Sequence, residues 1–219
     1  MNLFDIVGPI MVGPSSSHTA GAVKIGKISR KLLAEPVAVA KIYFHGSFQA
    51  TGKGHGTDKA VIAGLLGMEV DDADIPRSFE VANQNGMKFE IQGADLGDAH
   101  PNSVKLNLEG ASGQKLEIIG ASIGGGQIEI RELNGLPVSF SGDYPTLAMQ
   151  HIDQPGFVRA VTTLLAYQSV NIATMQLDRA KRGGNAVLIV ECDQEVPREA
   201  IEAVQQLQGL LKVNYLSLL

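Results

Sequence analysis

The N-terminal third of the chain carries both helical and strand patterns of apolar residues. Within residues 19–33 the apolar side chains repeat every three or four positions, at Ala22, Ile25, Ile28 and Leu32. This spacing predicts a helix with one buried stripe. Residues 37–44 are an apolar run between a proline and a His-Gly pair, which is typical of a buried strand. After a glycine-rich stretch, a second helix is predicted to begin at Thr57, a favourable N-cap residue.

From residue 78 to residue 140 apolar and polar residues alternate, which predicts antiparallel strands with one buried face. The turn-rich residues 141–145 end this region, so we expect two domains, 1–145 and 146–219. The second domain shows strand and helix patterns over residues 146–152, 155–169, 171–179, 186–192, 197–208 and 210–218. That order, βαββαβ, predicts a ferredoxin-like domain. The chain is therefore expected to be an α+β protein, with a mixed α/β domain first.

Composition limits the possible classes of function. Charged residues make up 19% of the chain and apolar residues 44%, which is typical of a folded protein rather than of a disordered segment. The net charge of −5 is spread along the chain without a block of basic residues, so we expect no nucleic-acid partner. Residues 1–18 lack a basic start, and Gly8 and Pro9 interrupt their apolar run. We therefore expect neither a signal peptide nor a membrane span.

Cys192 is the single cysteine of the chain. An internal disulfide is impossible, and a reducing, cytoplasmic setting is expected. A cubane iron–sulfur cluster usually requires three or four thiolates, so any cluster involved in function must be held by another chain. His45 ends a predicted strand and His100 begins the string HPN, so both lie at the ends of elements, but their spacing matches no zinc motif. We expect no metal site in this chain.

A run of hydroxyl side chains precedes the first predicted helix, in the string GPSSSHT at residues 13–19. The first backbone N–H groups of a helix lack partners and favour an anion. One interpretation is a cradle for a substrate carboxylate, with Ser15, Ser16, Ser17 and Thr19 as donors and His18 near the reacting atoms. The alternative is an ordinary helix cap, because serine and threonine are favoured there. A Ser-His hydrolase is not favoured, because adjacent helical residues point about 100° apart and no G-x-S-x-G motif is present.

The glycine-rich residues 51–59, TGKGHGTDK, are a second candidate site. They do not form a phosphate-binding loop, because Gly56 is followed by Thr57 and not by lysine. His55 is a candidate proton carrier, since the pKa of histidine lies near neutrality; a surface-loop histidine without a task is the alternative. The string SIGGG at residues 122–126 is interpreted as a turn between strands rather than as an anion-binding nest.

In the second domain, Gly156 lies between the first strand and the first helix, and Asn171 lies where that helix meets the next strand. Backbone groups at such a junction could hold a small amino-acid effector where two copies pair. The alternative is a plain dimerisation domain.

Five strings in this order together resemble the β chain of bacterial iron–sulfur L-serine dehydratases: GPSSSHTAG (13–21), HGSF (45–48), GHGTDKA (54–60), HPN (100–102) and SIGGG (122–126). Residues 147–219, with DQPGFV at 153–158, resemble an ACT domain. The N-terminal domain is also similar to the allosteric substrate-binding domain of some phosphoglycerate dehydrogenases. The resemblance covers nearly the whole chain, and its first and third strings are the most specific.

The resemblance implies a β-elimination that converts L-serine to pyruvate and ammonia. It implies a [4Fe–4S] cluster on a separate α chain, and a dimer formed through the ACT domain. The implied catalytic residues are His18 and His55, and the implied substrate contacts are Ser15, Ser16, Ser17, Thr19, Thr57 and Lys59. Gly156 and Asn171 are the implied regulatory positions. Two rivals are a module that only senses serine or another small acid, and a purely structural dimerisation scaffold.

Overall fold

The computed structural model describes residues 9–218, so the first eight residues of the N-terminal segment and the last residue lie outside the description. The chain divides into two compact units, Met1–Asn134 and Gly135–Leu219. The domain boundary expected after residue 145 stays a prediction. None of the helices within residues 9–218 is long and apolar enough to cross a membrane.

The first unit packs helices against one face of a β-sheet. A π-helical turn, Ser16–Ala20, leads into α1 (Gly21–Leu33). The other helices and the strands are β1 (Val37–Phe44), α2 (Gly46–His55), α3 (Thr57–Leu66), a 3₁₀ turn (Ile75–Arg77), α4 (Ser78–Gln84), β2 (Lys88–Gly93), β3 (Ser103–Gly110), β4 (Lys115–Gly124) and β5 (Gln127–Leu133). In the sheet these strands are ordered β2-β1-β3-β4-β5. Strands β1 and β2 are parallel, and the other neighbours are antiparallel.

Helices α1 and α3 approach so closely that only glycine fits at their contact. A Cβ atom on Gly26 would lie 2.4 Å from the carbonyl oxygen of Val61, and one on Gly64 would lie 2.0 Å from the carbonyl oxygen of Val23. Both distances are far below van der Waals contact. The two glycines therefore set the spacing of the helices whose N-terminal ends carry the hydroxyl string and Thr57.

The predicted helix, strand and second helix of the first unit are confirmed, but two further helices were missed. The glycine-rich stretch expected to be a loop is helix α2, because the N–H groups of Ser47 and Phe48 donate to the carbonyl oxygen of Pro101 and fix its first turn. Gly56, with φ of 67°, ends α2 and is also the N-cap of α3. Thr57 is therefore the first residue of α3 and not its cap. Helix α4 also replaces the start of the region expected to be strands.

The second unit has the predicted ferredoxin-like order. After β6 (Leu136–Phe140) it contains β7 (Thr146–Ile152), α5 (Phe157–Tyr167), β8 (Ile172–Arg179), β9 (Asn185–Cys192), α6 (Arg198–Gln205) and β10 (Leu210–Leu216). The strands form an antiparallel sheet in the order β10-β7-β9-β8. Its core joins buried side chains of both helices and the sheet, among them Leu147, Met149, Phe157, Val161, Leu188 and Val204. The fold expected from the residue pattern is confirmed.

Candidate functional site

The hydroxyl string begins the first helix by capping it. The backbone N–H of His18 donates to Ser15 Oγ at 3.1 Å, and that of Thr19 donates to the carbonyl oxygen of Ser15 at 2.8 Å. The first of these bonds satisfies a donor that a helix start otherwise leaves unpaired, and the second is the first backbone bond of the helix. Ser15 is thus the N-cap of this helix. Its bond to the backbone of His18 fixes His18 in the first turn, Ser16–Ala20.

The imidazole of His18 lies against one face of α2. Its Nε2 atom is 3.1 Å from Ser47 Oγ and 3.1 Å from Thr51 Oγ1. The edge of the ring meets Phe48, with ring centroids 5.2 Å apart. Burial lowers the pKa of His18, the nearby His55 lowers it further, and a hydrogen bond to the backbone of Ser47 partly opposes both. His18 is therefore neutral at neutral pH and can accept a proton.

His55, the last residue of α2, lies beside His18. Their ring centroids are 4.8 Å apart, with the planes tilted by 39°. His55 Nδ1 is 3.1 Å from the carbonyl oxygen of Thr51, and the hydroxyl of Thr19 donates to the carbonyl oxygen of His55 at 3.2 Å. The two imidazoles predicted to be catalytic, 37 positions apart in the chain, are thus brought together. We call Ser15, His18, Ser47, Thr51 and His55 the imidazole site.

The other predicted substrate contacts differ in accessibility. Ser16 and Ser17 are half-buried next to His18 in the chain, whereas Thr19 is buried. Thr57 is fully buried, and its hydroxyl has no hydrogen-bond partner within residues 9–218. Lys59 is half-buried in the first turn of α3. The role of each as a substrate contact stays a prediction.

Ser47 and Thr51 belong to the imidazole site although the sequence did not indicate them. Ser47, Thr51 and His55 are four residues apart and therefore lie on one face of a helix. That signal could be found only by recognising residues 46–55 as helical, and three glycines in this stretch favour a loop.

The predicted regulatory residues of the second unit do not share one cavity. Gly156, with φ of 93°, lines a cavity of about 280 Å³ together with Phe157, Ala160 and Leu207. Asn171 does not line it and instead donates to Asp193 Oδ2 at 2.5 Å.

The chain does not offer the ligands of an iron–sulfur cluster. Cys192, its single thiol, is buried on β9, and burial together with the carboxylates of Asp193 and Glu191 raises the pKa of the thiol to about 11. Within residues 9–218 no three His, Cys, Asp or Glu side chains form a group that could hold a metal ion. His45 Nδ1 and His100 Nδ1 instead accept backbone N–H bonds at 3.1 Å.

Known proteins match the chain over nearly its whole length. Residues 2–95 match the family model described as serine dehydratase beta chain. The probable L-serine dehydratase, beta chain, of Bacillus subtilis (strain 168) is 38% identical over 97% of this chain and 96% of its own. The chain belongs to the serine dehydratase β-chain family. The L-serine dehydratase, beta chain, of Peptoniphilus asaccharolyticus has the same identity and coverage.

The part of the chain that matches the serine dehydratase β-chain model contains all five residues of the imidazole site. Among solved structures, the ACT domain of GTP pyrophosphokinase from Chlorobium tepidum covers 33% of this chain and 95% of its own, at 16% identity and a TM-score of 0.28.

Proposed function

We propose that the chain is the β subunit of an L-serine dehydratase, which eliminates water from L-serine to give pyruvate and ammonia. One observation carries this proposal: 38% identity extends over 97% of the chain to a protein named L-serine dehydratase, beta chain. The imidazole site supports it, because the reaction requires a base for the α-proton of serine and a group near that base to orient the substrate.

The proposed chemistry divides into a proton transfer and a loss of hydroxide. A neutral imidazole takes the α-proton, the Cβ–O bond breaks, and the hydroxyl leaves as water by taking up the proton that the imidazolium carries. The resulting 2-aminoacrylate tautomerises to an imine, which water hydrolyses to pyruvate and ammonia. The lowered pKa of His18 favours the neutral, proton-accepting form in this site. In this proposal His18 and His55 are the catalytic pair, one as the base and the other beside it.

The carboxylate of serine is proposed to bind at the start of the first helix. Ser16 and Ser17 are half-buried and precede His18 in the chain there, and the N-terminal end of a helix favours negative charge. Lys59 supplies a positive charge in the first turn of α3. These groups would hold the acid end of the substrate while the imidazoles face its α-carbon.

The [4Fe–4S] cluster is proposed to lie on a separate α chain, in a cytoplasmic enzyme. One buried thiol with a pKa near 11 does not fit the three or four thiolates that such a cluster needs. The designation of the relatives as beta chains supports a second subunit. We further propose that the ACT-like unit pairs two copies and holds a small effector near Gly156 and Asn171.

The test is reconstitution. The chain is mixed anaerobically with a separately prepared cysteine-rich α chain, iron and sulfide, and pyruvate release from L-serine is followed. We expect turnover only when both chains are present, with D-serine and omission of either chain as controls. If the α chain alone is as active as the mixture, and calorimetry shows serine binding to this chain, then the chain is a sensing module and the proposal is wrong.

A further inference from the structure

The proton positions on the two imidazoles follow from their partners on α2. His55 Nδ1 lies 3.1 Å from the carbonyl oxygen of Thr51. A carbonyl oxygen accepts hydrogen bonds and cannot donate, so neutral His55 carries its proton on Nδ1. A neutral imidazole has one N–H group. The lone pair of His55 is therefore on Nε2, which makes no hydrogen bond to the residues that the structure describes.

The same residue orients the other ring through its hydroxyl. Thr51 Oγ1 donates to the carbonyl oxygen of Ser47 at 2.9 Å, a bond typical of threonine within a helix. With its one hydroxyl proton assigned to this bond, Thr51 Oγ1 acts as the acceptor towards His18 Nε2, 3.1 Å away. This assignment gives His18 its proton on Nε2 and its lone pair on Nδ1.

We infer that Thr51 is a positioning residue that holds the two imidazoles in opposite tautomers, leaving His55 Nε2 as the lone pair that receives the α-proton. The inference deepens the proposed function and rests on it for the identity of that proton. His18, with Nε2–H engaged by Thr51 and its edge on Phe48, supports and orients the pair. The proton passes from the substrate Cα to His55 Nε2, giving an imidazolium at His55.

The test reads the tautomers directly. The full chain, labelled with ¹⁵N at histidine, is examined by long-range ¹H–¹⁵N correlation spectra at a pH where both rings are neutral. We expect the Nδ1–H form for His55 and the Nε2–H form for His18. An Nε2–H form of His55 in the intact chain would overturn the inference, whether or not the assembled enzyme releases pyruvate.

Substitutions separate the two functions of Thr51. Thr51→Val removes the hydroxyl but keeps the carbonyl oxygen, so the His55 spectrum should stay unchanged while His18 becomes a mixture of tautomers. In the assembled enzyme kcat should fall by up to about 100-fold with little change in KM, because the catalytic geometry is loosened. Thr51→Ser retains a hydroxyl and should restore both readouts.

Ser47→Ala is the matched control. It removes the other oxygen near His18 Nε2, but Thr51 still accepts the N–H, so the His18 tautomer should persist. If Ser47→Ala changes the His18 spectrum and Thr51→Val does not, Ser47 and not Thr51 positions the ring. If the tautomers are as expected but the assembled enzyme releases no pyruvate, the proposed function fails while the assignment of protons to the two rings stands.

Discussion

Each of the two units contains a histidine whose Nδ1 atom lies within hydrogen-bond distance of a backbone carbonyl oxygen. The two histidines differ in whether the other ring nitrogen, Nε2, is accessible. His55 Nδ1 bonds the carbonyl oxygen of Thr51 at 3.1 Å, and His151 Nδ1 bonds that of Ile152 at 2.8 Å. His55 is half-buried, whereas His151 is only 2% exposed. The ring of His151 is stacked on Phe157, with centroids 3.9 Å apart and planes 7° apart. Its Nε2 atom is buried and has no partner within residues 9–218.

The contrast shows that burial of an imidazole does not by itself indicate a catalytic site. A proton carrier needs an accessible lone pair and neighbours that fix its orientation. His55 has both, because Thr51 fixes Nδ1 and Nε2 remains accessible. The ring of His151 is held in one orientation, but its Nε2 atom is buried. Its packing against Phe157 on the inner face of β7 indicates a structural role. Substitutions at the two histidines should therefore have opposite effects on activity and on stability.

His55→Ala should abolish most of the activity without unfolding the chain. Loss of a general base lowers kcat by about 10²- to 10⁴-fold. His55 is the last residue of α2 and is only half-buried, so the fold should persist. Pyruvate release from the reconstituted enzyme gives the rate, and circular dichroism gives the helix content. Activity within tenfold of the parent would remove His55 from the mechanism.

His151→Ala should show the reverse behaviour. Deleting a large, fully packed ring leaves a cavity, and the free energy of unfolding of the second unit should fall by about 2–4 kcal/mol. Amide exchange of β7 and β9 should become faster, while α1 and α3 are unaffected. The reconstituted enzyme should keep its kcat at a temperature where the variant is folded. If turnover were lost while amide exchange in β7 stayed normal, His151 would have a role in catalysis and the structural role assigned to it would be wrong.

The two histidine environments also differ in how much of each could be predicted from the sequence. The second unit follows local patterns, and the bounds of its six βαββαβ elements were predicted to within three residues. Helix α2 was missed because glycines at 46, 52 and 54 weaken its helix propensity. Its first turn depends instead on the carbonyl oxygen of Pro101, 54 positions after Ser47. The face shared by Ser47, Thr51 and His55 could not be predicted before that tertiary contact was known.

The packing beneath the imidazole site should be as sensitive to substitution as the packing around His151. Gly64→Ala would place a methyl group 2.0 Å from the carbonyl oxygen of Val23 and separate α1 from α3. Overpacking of this kind costs about 1–3 kcal/mol. Amide exchange of α1 measures the loss. Gly54→Ala is the control, because no atom lies within 4 Å of its added Cβ. Equal exchange rates in the two variants would show that the helices tolerate a wider spacing.

The smallest expected effect is the contribution of His18 to the pH dependence of stability. Burial and the neighbouring His55 lower the pKa of His18 in the folded chain. In the unfolded chain His18 takes up its proton near the ordinary value of about 6.5. Just below that pH the unfolded state therefore binds more protons than the folded state. The contribution of His18 to the free energy of unfolding is lost as the pH falls. The loss stops once folded His18 is also protonated.

His18→Gln should therefore make the fall in α1 amide protection between about pH 7 and pH 5 shallower than in the parent chain. The other four histidines are present in both proteins, so the difference between the two pH profiles gives the contribution of the His18 imidazole. His151→Gln is the matched control in the second unit, where α1 protection should keep the parental pH profile. A steeper fall in His18→Gln would mean that the folded chain favours the protonated ring of His18, and the neutral form assigned to His18 would then be wrong.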